Sequence, residues 1–324
     1  MTDTPSRTAL GIDIGGTHIK GVILSADGEV LHSRHLPTLD DPEGRWRERV
    51  RELVDTLRQM PGAGVAAAGI SAPGLANVSN TAIAHMPGRL SGLVGLDWSD
   101  WLGLPCTVIN DAHAALLAEA AYGEMAGFRH GLLLTLGTGV GGAVMVDGAL
   151  YQGQSQMAGH FGHTVLNADD DETSLLGMPG SLEYALGNYS VPRRSRGRFQ
   201  DTREIVDAMR SGDPFAHWLW LDMMRKLAVF IGSAANGLSP EVVCLAGGLT
   251  QAGDELMRPL ERFLDIYEFR PDGVRTQLRI ARYGDRAGAI GAAVQALRTL
   301  PPRAERSPSP PMPSSIPLPP AQRR

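Results

Sequence analysis

The chain has 324 residues, 43% apolar and 20% charged; that suits two globular domains and excludes a disordered or fibrous polymer. A formal charge of −5 weighs against a nucleic-acid partner, whose phosphate backbone is met by a basic face. No run approaches the ~18 apolar residues of a membrane span, and Met1-Thr-Asp-Thr-Pro-Ser-Arg7 has no apolar signal core, so a cytoplasmic protein without a membrane partner is expected.

Strand-like runs over 8–14, 18–25 and 29–36 predict a three-stranded antiparallel meander. Asp13-Ile-Gly15-Gly16-Thr17 joins the first two runs, and an Asp27-Gly28 hairpin signal follows the second. Residues 43–60 read as an amphipathic helix with Trp46, Val50, Leu53, Val54 and Leu57 on one face. A buried strand over 65–70 runs into Ser71-Ala-Pro-Gly74, and 75–100 is rich in loops. A strand over 106–109 delivers Asn110-Asp111, and an alanine-rich helix over 112–122 follows. Cys106 and Cys244 both stand in apolar strand-like runs, where small core residues are expected rather than a disulfide.

The order then repeats. A strand over 131–136 leads through Gly137-Thr138-Gly139 to a strand over 141–147, closed by Asp147-Gly148. Helices are expected over 203–211 and 216–235, and a strand over 241–246 runs into Gly247-Gly248. A helix over 253–265, a strand over 278–282 and a closing helix over 285–299 complete the pattern. The repetition predicts duplicated α/β halves with a cleft between them. The boundaries expected are 1–110 for the N-terminal lobe, with the 285–299 helix returning to it, and 111–284 for the C-terminal lobe. Residues 301–324 hold nine prolines and little apolar content, which predicts a disordered tail.

Without Cβ atoms, a glycine turn lets backbone approach a ligand and point N–H groups at an anion. One such turn is equally an ordinary hairpin. Two with the same layout point to two lobes gripping one polyphosphate from opposite sides.

Asp13-x-Gly15-Gly16-Thr17-x-x-Lys20, Asn110-Asp111-Ala112, Gly137-Thr138-Gly139-x-Gly141-Gly142, Gly159-x-x-Gly162-His163 and Gly247-Gly248 resemble the motifs of the ROK family in order and spacing, over roughly residues 8–299. That family holds bacterial sugar kinases and related repressors on a duplicated actin-like (ribonuclease H-like) ATPase fold, two lobes about a central cleft. The resemblance implies an ATP-dependent, Mg²⁺-requiring sugar kinase, glucokinase-like, acting on a hydroxyl of a hexose or hexose derivative. Dimerisation is common in the family, so a homodimer is compatible. The alternative is a catalytically silent sugar-binding or regulatory member. The family's repressors carry an N-terminal helix-turn-helix, and only about seven residues precede the first strand here. The identity of the sugar, and ATP or polyphosphate as donor, stay open.

Phosphoryl transfer demands positioning and charge neutralisation. Gly15, Gly16 and Thr17 are expected to offer N–H groups to one side of the triphosphate, and Gly137, Thr138 and Gly139 to the other. Asp13, at the end of the first strand, is placed to orient Mg²⁺ through its waters. Lys20 is a weaker cofactor contact or a structural residue. Gly247 and Gly248 suit backbone passing under adenine or ribose. Asp111, projecting from a strand end, is the expected general base for a sugar hydroxyl, the role the resemblance also implies. The resemblance gives Asn110 a sugar hydroxyl; a helix cap is the plain alternative for either residue. Gly74 is expected beside the sugar.

The sequence departs from the family at two places. His160 stands where members carry a sugar-binding glutamate, and imidazole cannot be a two-oxygen acceptor. His163 matches a histidine that contacts sugar and ligates zinc, yet the zinc-binding cysteine positions hold Ser174, Leu176 and Ser181. No zinc site is expected, and the loop is expected to be held by packing alone. Glu183 aligns with a glutamate that contacts a hydroxyl near the anomeric end; otherwise it is an exposed helix glutamate. His18, His32, His35, His85, His113, His130 and His217 show no metal-ligand spacing and are read as surface or core. Trp218 and Trp220 are read as core, and Trp98 and Trp101 as lining or anchoring the cleft.

Overall fold

The structure, a computed structural model, describes residues 7–301. The expected proline-rich tail beyond Pro301 lies outside the described residues.

β1 (Thr8–Ile14), β2 (His18–Ser25) and β3 (Val30–Pro37) form the expected antiparallel meander. α1 (Trp46–Arg58) turns Trp46, Val50, Leu53, Val54 and Leu57 inward, with Glu48 in its first turn and Arg58 in its last, as the helix dipole favours. β4 (Val65–Ala72) follows. The loop-rich stretch contains a small two-stranded sheet, β5 (Leu75–Ala76) and β6 (Ile83–His85), then α2 (Trp98–Leu102). β7 (Cys106–Asn110) feeds directly into α3 (Asp111–Tyr122).

The second half contains β8 (Gly131–Leu136), β9 (Val140–Val146), β10 (Ala149–Tyr151), the short α4 (Leu182–Leu186) and α5 (Val191–Arg194), then α6 (Thr202–Arg210) and α7 (Pro214–Leu238). β11 (Val242–Ala246), α8 (Asp254–Tyr267), β12 (Gln277–Ile280) and α9 (Ala287–Thr299) close it. The two five-stranded sheets run β3-β2-β1-β4-β7 and β10-β9-β8-β11-β12. In each, a three-stranded antiparallel meander carries two parallel strands on the far side of its first strand. The duplication read from the sequence is therefore a duplication of topology.

Five layers result. α1 covers the outer face of the first sheet, α3 and α9 lie between the sheets, and α7 and α8 cover the outer face of the second. α9 packs on β1, β4 and α3. The approach is close enough that a Cβ on Gly291 would overlap the Ala114 carbonyl of α3, so glycine is required there. Among the described residues no helix is long and apolar enough to cross a membrane.

Both cysteines are free thiols, and burial pushes that of Cys106 up to about 12. Trp98 is fully buried against Trp46 and Trp101, and Arg51 lies 4.3 Å over the Trp101 ring, so this pair anchors α2 to α1. Trp218 corrects the sequence reading: it is 60% exposed while Trp220 is buried. Two helix positions two residues apart point about 200° away from each other, so only one can face the core.

Candidate active site

The C-terminal ends of β1 and β4 bring Asp13 opposite Ser71. Ser71 Oγ donates to Asp13 Oδ1 at 2.7 Å. Burial pushes the Asp13 carboxyl up to about 6, against the pull of the Ser71 bond, and the charge of Asp111 adds to the rise. Lys20, opposite Asp13 on β2, donates from Nζ to the Asp285 carbonyl at 2.7 Å and pairs with its carboxylate at 3.2 Å. Lys20 thus ties β2 to the segment that starts α9.

The first glycine turn is closed by Gly15, whose N–H donates to the His18 carbonyl at 3.0 Å. Thr38 holds the turn from outside: its Oγ donates to the Gly15 carbonyl at 2.8 Å and its N–H to the Thr17 carbonyl at 2.9 Å. The Gly16 and Thr17 N–H groups have no hydrogen-bond partner among the described residues. The second turn is built alike. Gly137 N–H donates to the Gly139 carbonyl at 3.0 Å, and Asn188 and Tyr189 N–H groups hold the Gly137 and Thr138 carbonyls at 3.0 and 3.2 Å. Here Thr138 and Gly139 N–H have no partner among the described residues. The expectation that Gly15 and Gly137 also present N–H groups is corrected: each spends its own on closing its turn.

Glu183, in α4, is only 7% exposed. Its Oε1 accepts from Val140 N at 3.3 Å and its Oε2 from Leu175 N at 3.1 Å, and a Cβ on Gly139 would overlap its carboxylate. It is therefore no exposed helix residue; it backs the second turn. Gly247, at φ +92°, abuts the Leu136 carbonyl at the end of β8. Gly248 borders a cavity of about 310 Å³ lined also by Asn188, Thr202, Arg203, Leu249 and Gln251. Asn188 links that cavity to the second turn.

Asn110, not Asp111, caps α3. Its Oδ1 accepts from Ala112 N at 2.9 Å and His113 N at 3.4 Å, and its Nδ2 donates to the Gly74 carbonyl at 2.9 Å. That leaves Asp111, the first residue of α3, open at its surface and hemmed by the cleft walls, which raise its pKa; the Ala112 N–H and His160 pull it down. Ala112 packs near Gly141 of β9, just beyond the second turn.

For His113 the sequence allows either surface or core. It is buried and belongs to a row of three rings: 6.2 Å from His160, which lies 6.5 Å from His163. His113 Nε2 bonds the Ala158 carbonyl at 2.9 Å, and His160 Nδ1 the Met157 carbonyl at 3.2 Å, so each of these nitrogens carries the proton. Burial lowers the pKa of both, so the rings are neutral near pH 7 and His160 Nε2 is a bare acceptor. His163 Nδ1 is buried without a partner among the described residues. The one sequence signal for His113 was its place two residues after Asp111.

Among the described residues no group of three or more His, Cys, Asp or Glu side chains is arranged to hold a metal. The loop bearing Ser174 and Ser181 is not held by packing alone, which corrects that expectation. Ser174 Oγ accepts from Met178 N at 3.0 Å, Ser174 N donates to the Met178 carbonyl at 2.8 Å, and Ser181 Oγ accepts from Tyr184 N at 3.2 Å. Leu176 is exposed.

The ROK family model matches residues 9–299. The chain is 28% identical over 321 residues to a glucokinase of Halalkalibacterium halodurans, covering 88% of this chain and 93% of that one. It is 30% identical over 305 residues to an N-acetyl-D-glucosamine kinase of Haemophilus influenzae, covering 87% and 97%. A crystal structure of a ROK hexokinase from Thermus thermophilus superposes with a TM-score of 0.75 at 29% identity, covering 90% and 98%.

Proposed function

The chain belongs to the ROK family, and from that premise we propose that it is an ATP-dependent sugar kinase, transferring the γ-phosphoryl group to a hydroxyl of a hexose or hexose derivative. One observation carries the reading. Each sheet ends in a glycine turn with two N–H groups that have no partner among the described residues, and two carboxylates, Asp13 and Asp111, stand beside those turns.

The four N–H groups of Gly16, Thr17, Thr138 and Gly139 meet the phosphate oxygens. Asp111 accepts the proton of the attacking hydroxyl as the new O–P bond forms and ADP departs. A pKa raised by its surroundings suits that task near neutrality. Asn110, fixed by Gly74, retains one amide hydrogen for a sugar oxygen; His160 Nε2 accepts from a hydroxyl, and the His163 ring stacks beside His160. The cavity beside Gly248 takes the adenosine end.

Asp13 fits a hydrated divalent cation. It offers oxygen, Ser71 orients it, and glycine at 288 leaves room that a Cβ would fill to within 2.5 Å of its Cγ. Mg²⁺ bound there through water would neutralise the phosphate oxygens and strengthen the leaving group. The lobes divide at residue 110, with α9 on the first, and their closure would exclude water from the reaction.

Incubation with ATP, Mg²⁺ and a panel of hexoses and N-acetylhexosamines tests this. Sugar-dependent ADP release is expected. Sugar binding without turnover would instead identify a silent binding member.

A further inference from the structure

Arg89 lies between β6 and α2, in Met86-Pro87-Gly88-Arg89-Leu90. Its guanidinium rests on Gly16 of the first turn: a Cβ at that glycine would lie 2.5 Å from Nη2, 3.1 Å from Nη1 and 3.2 Å from Cζ. One carboxylate holds it there. Asp40 Oδ2 accepts from Arg89 Nε at 3.3 Å, and Asp40 Oδ1 accepts from Leu90 N at 2.9 Å, so side chain and backbone are fixed together. Leu90 is buried at φ +52°, a conformation that leucine adopts only where the surroundings over-determine it.

Neither Nη atom has a hydrogen-bond acceptor among the described residues, and the side chain is 45% exposed. The same spot holds the Gly16 and Thr17 N–H groups, which have no partner among the described residues. Apart from Asp40, which takes Nε, no acceptor among the described residues meets these donors, which is the chemistry of an anion site. A planar guanidinium is suited to grip two oxygens of one phosphate.

We propose that Arg89 clasps the terminal phosphoryl group of the bound nucleotide. The inference rests on the kinase reading and names a further residue for that reaction. The γ-phosphate is singled out by direction. Gly74, whose carbonyl holds Asn110, packs against His85 and Met86, where a Cβ would lie 3.0 Å from Met86 Cβ, so the segment carrying Arg89 leaves from beside Asn110, the side given to the acceptor sugar. The phosphate nearest the acceptor is the one transferred. Asp40 occupies only Nε, leaving the fork of Nη groups for the ligand.

The test compares wild type, Arg89→Ala and Arg89→Lys by calorimetric titration with ATP and with ADP in Mg²⁺, and by steady-state kinetics. In Arg89→Ala, ATP affinity falls about tenfold or more while ADP affinity stays within twofold. Its kcat falls and the sugar KM holds; millimolar guanidinium ion restores part of the turnover, and lysine recovers part of the ATP affinity. A wild type that turns over while Arg89→Ala binds ATP normally overturns the role of Arg89 alone. Equal losses for ATP and ADP, or a change confined to the sugar KM, which would mark an anionic group on the sugar as the ligand, overturn it too. A wild type that binds neither nucleotide overturns this inference together with the kinase reading.

Discussion

Ser71 and Asp13 are register partners on the parallel strands β4 and β1, joined by a 2.7 Å hydrogen bond from Ser71 Oγ to Asp13 Oδ1. The bond favours the ionised carboxylate, yet burial still pushes Asp13 up to about 6. A reaction that needs this charge should gain rate as the pH rises through about 6. The acid limb of kcat/KM is expected to move to higher pH in Ser71→Ala and to lower pH as Mg²⁺ is raised, because a cation favours the carboxylate. Folding carries the opposite sign. The folded protein binds this proton more tightly than the unfolded chain, with its ordinary 3.8, so the group's share of the unfolding free energy falls as the pH rises from 3.8 through about 6. A flat rate profile between pH 4.5 and 8 in both proteins would contradict the assignment.

Asp111 is spared from capping because Asn110 caps α3. Asp111→Asn should therefore leave the helix intact, and removing a carboxylate that its surroundings disfavour should not lower Tm. Turnover is expected to fall by roughly 10²–10⁴ with ATP affinity kept. A kcat within twofold of wild type would remove Asp111 from the base role. Asn110→Ala differs: it loses the cap, worth about 1 kcal/mol, together with the tie to Gly74.

Much of this was legible because it is local. Alternating apolar runs, Asp-Gly hairpins and paired glycine turns mark both meanders, and the repetition marks the duplication. What was hidden depends on contacts between distant segments. His113 meets His160 only because α3 runs beneath the Gly159–His163 turn. Trp218 and Trp220 look alike in an apolar helix until the core selects one face. Gly15 and Gly137 spend their N–H groups within turns whose shape no spacing rule reveals. Arg89 reaches Gly16 through a strained loop without periodicity.

His160 should set the sugar KM. With Nδ1 bonded to Met157, Nε2 is its one acceptor. Loss of one such bond is worth about 1 kcal/mol, so His160→Ala should raise the sugar KM roughly five- to tenfold with the ATP KM unchanged. His160→Glu restores two acceptor oxygens but replaces a neutral ring with a second negative charge near Asp111. The acid limb of the rate profile should then shift to higher pH. An unchanged limb in that variant would mean that Asp13, not Asp111, sets it.

Glu183 distinguishes a structural carboxylate from a sugar ligand. Its two oxygens hold Val140 N and Leu175 N, joining the second glycine turn to the loop that carries Ser174, Leu176 and Ser181. Glu183→Ala strands two N–H groups, each costing about 1–3 kcal/mol, so Tm should fall by roughly 5–10 °C. The ATP KM should rise with it, since Gly139 rests on the same carboxylate. Glu183→Gln keeps the volume and one acceptor oxygen, and about half of the loss is expected. Thermal melting and both KM values decide the matter. An unchanged Tm with a tenfold rise in the sugar KM would assign Glu183 to the sugar; a fallen Tm with the sugar KM held would mean that this carboxylate braces the second turn and its loop through hydrogen bonds.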